Sequence, residues 1–274
     1  MPAPIKHISS IQNAEVRQLQ HWNQKSRDRR KSGRFVLEGL RELTLALEGG
    51  YRAERFYFCP EILGEDALYA LPGAEQVPLT SLSPEVYRHL AYRGKTEGVL
   101  AVMHTKTHGL DDLVFRREAP LILVAEAPEK PGNIGALLRT ADAAALDAVI
   151  IADPKGDVYN PNVIRSSVGC LFTVPVAVAT SEAVLEFLAA RGIQVLAACL
   201  GGSTRYDLAD YRTPTAIAVG TEATGLTEKW RTAARTAVEI PMSGVIDSMN
   251  VSVSAAILVF EALRQRGFDQ GSHL

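Results

Sequence analysis

The chain predicts an α/β protein built on a parallel sheet, with a smaller α/β domain ahead of it. From Leu121 onward, near-continuous apolar strands alternate with amphipathic helices, the pattern of a sheet covered on both faces. The length of 274 residues exceeds the usual single-domain size and suggests two compact units. Between Thr105 and Ala119 the apolar pattern lapses, anchored by Leu110, Leu113, Val114 and Phe115, which marks a linker. The expected division is residues 1–104, a linker over 105–119, and residues 120–274.

In order, the first part reads as a polar helix near Asn13 to Arg30, a strand Arg34 to Leu37, a helix Leu40 to Glu48 and a strand Arg55 to Phe58. Glu61 to Leu71 and Pro84 to Tyr92 follow as helices, and Gly98 to Met103 closes the domain as a strand of apolar and β-branched residues. The second part gives strand Leu121 to Ala125, helix Ile134 to Ala145, strand Ala148 to Ala152, helix Pro161 to Val168 and strand Phe172 to Val176. Helix Ser181 to Ala190 and strands Val195 to Ala198 and Thr215 to Val219 come next. Helix Thr227 to Ala234, strand Ala237 to Ile240 and a long helix from Asn250 to Arg266 complete it.

Composition narrows the function. Residues are 47% hydrophobic and 22% charged, ordinary for a globular protein with a real core. No apolar run approaches the roughly 18 residues needed to span a bilayer, and Met1 to Ser10 lacks the layout of a signal peptide, so a cytoplasmic protein without membrane attachment is expected. Cys59, Cys170 and Cys199 lack CxxC spacing and read as buried thiols, with no metal site expected. The net charge of −2 conceals a local excess: Lys25, Arg27, Arg29, Arg30, Lys31 and Arg34 are opposed in that stretch only by Asp28. Such a cluster can neutralise phosphates, or can simply be a solvated helix end.

No strand end carries a GxGxxG turn, a Walker loop or a GxSxG elbow, which removes the main support for dinucleotide, nucleoside triphosphate and hydrolase sites. Gly201-Gly202-Ser203 reads as a loop with no helix opening directly after it. Three other segments place glycine, proline or small polar residues where a strand gives way to a helix, the ligand-facing end of open α/β sheets. They are Asn133-Ile134-Gly135 with Arg139, Gly220-Thr221-Glu222 with Gly225, and Ile240-Pro241-Met242 with Ser248 and Asn250.

In content, order and spacing these segments resemble the three motifs of the SpoU (TrmH) family of knotted RNA ribose 2′-O-methyltransferases, within the wider SPOUT class. Met249 stands where leucine is usual, a volume-conserving change. Gly33-Arg34-Phe35-Val36-Leu37-Glu38-Gly39 is similar to the RNA-gripping, ribosomal-protein-like domain often fused ahead of the catalytic one. The resemblance implies a trefoil knot in the C-terminal domain, S-adenosylmethionine held against the knotted backbone, and a homodimer through the final helix. Ile257, Leu258, Phe260 and Leu263 give that helix more apolar surface than one contact face needs.

The resemblance also assigns roles. Arg139 is the family's catalytic arginine; permanently charged, it suits stabilising a developing alkoxide and the adjacent phosphate better than acting as a base. Asn133 and Asn250 would hold backbone and ribose, or cap their helices. Ser248 would orient Arg139 or the target hydroxyl, or cap a helix, and Glu222 would fix the first motif's loop or pair with Asn133. Cofactor contacts are expected at Ala198, Cys199, Val219, Gly220, Ile240, Met242 and Met249, mostly through the main chain. Arg29, Arg30 and Arg165 are expected to meet RNA. The implied substrate is RNA, ribosomal RNA ahead of transfer RNA because of the extra N-terminal domain. A non-catalytic RNA-binding relative is the alternative of a different class, disfavoured by the intact motif residues.

Overall fold

The computed structural model describes residues 5–91, 97–201, 204–221, 224–246 and 248–268. The chain packs as two units, Met1–Lys106 with Asp157–Thr173, and Thr107–Gly156 with Val174–Leu274.

The first unit holds β1 (Lys6–Ile8), α1 (Ala14–Gln24), α2 (Ser26–Ser32), β2 (Arg34–Glu38), α3 (Leu40–Glu48), β3 (Ala53–Phe58), α4 (Asp66–Tyr69), β4 (Leu79–Leu82), α5 (Pro84–Leu90) and β5 (Val99–His104). Among the described residues its sheet runs β1-β4-β3-β5-β2, with β5 antiparallel to both neighbours. Asn13 starts α1 by accepting from the Glu15 amide at 2.8 Å, and Val16 and Leu19 turn that helix's apolar side onto Val36, Tyr57 and Leu100. Ser83 caps α5 in the same way, with Pro84 in its first turn.

Several expectations are corrected in this unit. Glu61 to Leu71 is not one helix: the amides of Ile62 and Leu63 turn back onto the Cys59 carbonyl, Gly64 follows, and only Asp66–Tyr69 is helical. Strands β1 and β4 escaped the sequence reading because three- and four-residue strands carry too little alternation to register. The end of the expected Pro84 to Tyr92 helix, at Tyr92, lies outside the described residues.

The polar helix expected over Asn13 to Arg30 is two helices, broken at Lys25, whose backbone is extended (φ −117°, ψ 110°). The break turns Arg29 inward. Its side chain is 2% exposed, gives two bonds to the Asp157 carboxylate at 3.0 and 2.7 Å, and donates to the Trp22 and Asn23 carbonyls that end α1. One guanidinium thus caps a helix C-terminus and holds the segment that returns from the second unit.

In that returning segment the expected strand Phe172 to Val176 is instead a 3₁₀ turn over Cys170–Phe172, with the strand delayed to Val176–Ala179. Phe172 is drawn out of strand register by aromatic packing: its ring centroid lies 5.0 Å from that of Tyr51 and 6.1 Å from that of Phe35, which stacks on Tyr159 at 4.5 Å.

The second stretch of elements comprises β6 (Leu121–Glu126), α6 (Pro131–Ala143), β7 (Ala148–Ala152), α7 (Pro161–Ser167), β8 (Val176–Ala179), α8 (Ser181–Ala190), β9 (Gln194–Ala198), β10 (Thr204–Arg205), β11 (Thr215–Val219), α9 (Glu228–Ala233), β12 (Thr236–Glu239) and α10 (Val251–Gln265). Of these α7 packs with the first unit. Among the described residues the second sheet runs β10-β12-β9-β11-β6-β7-β8, every pair parallel. Its central strands β6, β7 and β11 are buried on both faces, as their continuous apolar runs require, and Ile122, Val124, Ile150, Ala216 and Ala218 pack with Val184, Leu188 and Trp230. The stretch after Thr107 joins this unit, with Leu113 in its core and Phe115 edge-on to Phe187. Helix α10 lies on α6 and β11 through Ala255, Leu258, Val259 and Ala262. Among the described residues no helix is long and apolar enough to cross a membrane.

Arg29→Ala should destabilise the first unit by about 3–5 kcal/mol, because it leaves Asp157 buried without its partner. Arg29→Lys should recover only part of this, lacking the planar fork. Urea denaturation of the two variants beside the parent measures both.

Candidate functional site

The three motif segments meet at the carboxyl ends of β9, β11, β6 and β12, each brought there by a specific local cause. After β6 the chain kinks at Ala127, a non-glycine residue at φ 47°, and its amide donates to the Ala152 carbonyl at 2.7 Å. Helix α6 then opens at Pro131, earlier than expected, so Asn133 sits inside the first turn and Lys130 occupies the cap position. The capping role considered for Asn133 therefore falls away. Its side chain instead accepts from Asn250 Nδ2 at 3.2 Å. Asn250 does cap α10, its Oδ1 accepting from the Ser252 amide at 2.9 Å and hydroxyl at 2.6 Å. One asparagine thus starts the last helix and ties it to the first motif.

The second motif is a tight loop closed by paired Thr221 and Gly225 backbone bonds of 3.2 and 3.0 Å. Gly220 is required there: a Cβ on it would lie 2.1 to 2.3 Å from the backbone of Gly225 and Leu226, too close for any side chain. Glu222 lies outside the described residues, as do Gly202 and Ser203.

The second and third motif segments, with the end of β9 and the start of α10, enclose a cavity of about 350 Å³, within the range of small-molecule sites. All seven residues expected to contact a cofactor, Ala198, Cys199, Val219, Gly220, Ile240, Met242 and Met249, line it, and so does Ser248. Ser248 is not a helix cap, since Asn250 holds that position. Burial raises the Cys199 thiol, outweighing the nearby Arg231 cation that lowers it, so the wall it forms stays neutral at physiological pH. Met242 and Met249 make no backbone hydrogen bond to another described residue, which leaves their main-chain groups available to a ligand. Asn133 borders a smaller recess with Lys130, Gly220, Thr221 and Val251. Arg139 does not join these contacts: it is exposed on α6, with no hydrogen bond or ion pair to another described residue.

Glu126 is a site residue that the sequence reading missed. It ends β6 at 4% exposure, and its two oxygens accept from the Thr227 amide at 2.8 Å and the Thr227 hydroxyl at 2.6 Å. The carboxylate joins the strand leading into the first motif to the residue that follows the second and opens α9. Its signal in the sequence was a lone acid closing an apolar run. On α9 itself, fully buried Trp230 donates through Nε1 to Ser181 Oγ at 2.9 Å, and Ser181 Oγ donates to Asp153 at 2.6 Å.

In the first unit the basic cluster is smaller than the sequence suggested. Arg29 is buried and fully bonded, so it is corrected from a phosphate contact to a structural residue. Arg34 pairs with Glu54. Lys25, Arg27, Arg30 and Lys31 remain exposed on and beside α2. Arg165 is exposed on α7, beside a small recess that it lines with Asn23 and Glu38.

Residues 120–260 match the SpoU rRNA Methylase family, and residues 13–101 match the MRM3-like substrate binding domain. The chain belongs to the SpoU rRNA Methylase family. A crystal structure of an RNA 2′-O ribose methyltransferase is 37% identical, with a TM-score of 0.82 over 95% of this chain and 99% of that one. The SpoU methyltransferase AviRb from Streptomyces viridochromogenes, solved in complex with the cofactor AdoMet, is 28% identical with a TM-score of 0.84, covering 93% of this chain and 100% of its own. From the same organism, the 23S rRNA (uridine(2479)-2′-O)-methyltransferase is 29% identical over 96% of this chain and 94% of its own.

Glu126→Ala should cost about 0.5–1.5 kcal/mol, since it removes two hydrogen bonds to Thr227, which is itself exposed to water. The variant should also show faster amide exchange over residues 224–233 than the parent, read by hydrogen-exchange mass spectrometry.

Proposed function

We propose that the chain transfers the methyl group of S-adenosylmethionine to a ribose 2′-hydroxyl of 23S ribosomal RNA. One observation carries this: in a SpoU family chain the second and third motif segments converge so that seven expected cofactor residues line one cavity, and the Asn133–Asn250 bond ties the first motif to the third. The cavity suits the cofactor. It offers main-chain groups for an adenine edge, and the apolar side chains of Ile240, Met242, Met249 and Leu258 for its faces.

S-adenosylmethionine bound there would supply an electrophilic methyl whose transfer to O2′ would leave neutral S-adenosylhomocysteine, with the 2′-hydroxyl proton passing to water. The protein's part is to position and to stabilise charge. Arg139, a guanidinium open to solvent, offers up to five donors to the developing alkoxide and the neighbouring phosphate. Asn133 and Asn250 fix the two helices that flank the reacting groups. Ser248, on the cavity wall, is placed to hold the ribose or the target hydroxyl.

RNA is held in addition by the first unit, through the exposed cations Lys25, Arg27, Arg30 and Lys31 and through Arg165. The protein works as a homodimer. Val253 and Phe260 on α10 are 48% and 44% exposed, and Val245 and Ile246 just before it are more exposed still, an apolar surface fitted to a second copy. Its place of action is the cytoplasm, where ribosomal RNA of this kind is assembled.

Two measurements test these roles. Transfer of labelled methyl to unmodified 23S ribosomal RNA should fall by about 10²- to 10³-fold in Arg139→Ala, the loss typical of a transition-state donor, while cofactor binding persists. No transfer by the parent protein despite cofactor binding would overturn the substrate. Arg30→Ala should weaken RNA binding and lower the salt-dependence slope by about one, with cofactor affinity unchanged. An unaltered slope would remove Arg30 from the RNA surface.

A further inference from the structure

We propose that Arg231 is the residue that recognises the α-carboxylate of the cofactor's methionine moiety, and so sets selectivity for an amino-acid-bearing nucleoside. The inference rests on the S-adenosylmethionine reading above and goes beyond it, because Arg231 lies outside all three motif segments. Among the described residues that line the cavity, Arg231 is the one with a formal charge; the rest are apolar, small or hydroxyl-bearing. Its guanidinium sits at the second motif's loop, with Nη2 3.7 Å from where a Cβ of Gly225 would stand. It has no side-chain hydrogen bond or ion pair to another described residue.

The helix that carries it is fixed. Thr227 is locked to Glu126, Trp230 is buried and bonded to Ser181, and the Arg231 amide donates to the Thr227 carbonyl at 3.2 Å. A cation presented from an anchored helix into an otherwise uncharged cavity selects by sign. S-adenosylmethionine carries two cationic groups, the sulfonium and the ammonium, and one anion. A guanidinium repels the first two, so it favours the pose that brings it the carboxylate, which it can bind through two parallel N–H donors.

The test is calorimetric and needs no turnover. Binding of S-adenosylmethionine and of decarboxylated S-adenosylmethionine, which lacks only the carboxylate, is measured for the parent protein, Arg231→Ala and Arg231→Lys. The parent should prefer the intact cofactor by about tenfold or more, as for a charge-assisted bond. Arg231→Ala should lose that preference while binding the decarboxylated ligand at least as well as the parent does, and Arg231→Lys should keep part of it. Equal weakening of both ligands in Arg231→Ala would reduce the residue to a structural one and overturn the proposal, as would an unchanged preference. A parent protein that binds neither ligand would overturn the S-adenosylmethionine reading itself, a result distinct from loss of selectivity.

Discussion

The ligand end of the second unit depends on one buried carboxylate. Glu126 closes β6 and gives both oxygens to Thr227, so the strand that delivers the first motif and the helix that follows the second cannot move apart without leaving a buried carboxylate short of donors. Around that joint the other constraints are steric. Gly220 admits the Gly225 and Leu226 backbone where no side chain fits, and the Asn250 side chain bridges from the start of α10 to Asn133. The cavity lies beside these fixed points, and its described lining is small, apolar or hydroxyl-bearing apart from Arg231.

The first unit shows how the same residue type can serve opposite ends. In sequence, six cations over residues 25–34 look equivalent. In the fold, Arg29 is an internal tie between the end of α1 and Asp157, Arg34 is paired with Glu54, and four cations on and beside α2 remain for solvent and phosphate. The helix break at Lys25 makes the difference, since a continuous helix would not return Arg29 to the carbonyls of the turn before it. Local charge density overstates a binding surface when part of it is spent on capping.

The alternation of apolar strands and amphipathic helices made most of the second unit legible, and strands such as Ala148–Ala152 and Thr215–Val219 fall where the pattern put them. Periodicity failed where tertiary contacts outweighed it. Phe172 reads as strand but joins Phe35 and Tyr51, and Glu61 to Leu71 reads as helix but folds back at Cys59. Candidate cavity residues came from resemblance rather than from pattern, because small and apolar residues that line a cavity read like those of any core. Glu126 was invisible for a related reason: its partner Thr227 lies about 100 residues away.

The strand order has a temporal consequence. β6 pairs with β11, almost a hundred residues later, and among the described residues the cavity is lined by those from Ala198 to Leu258. Parallel pairing at such separation is slow, because loop closure precedes the contacts that reward it. During synthesis the first unit's sheet can assemble while the second unit still waits for its central neighbour. The first unit's sheet can therefore form before the cavity does, and the cavity is complete only once α10 has docked on α6.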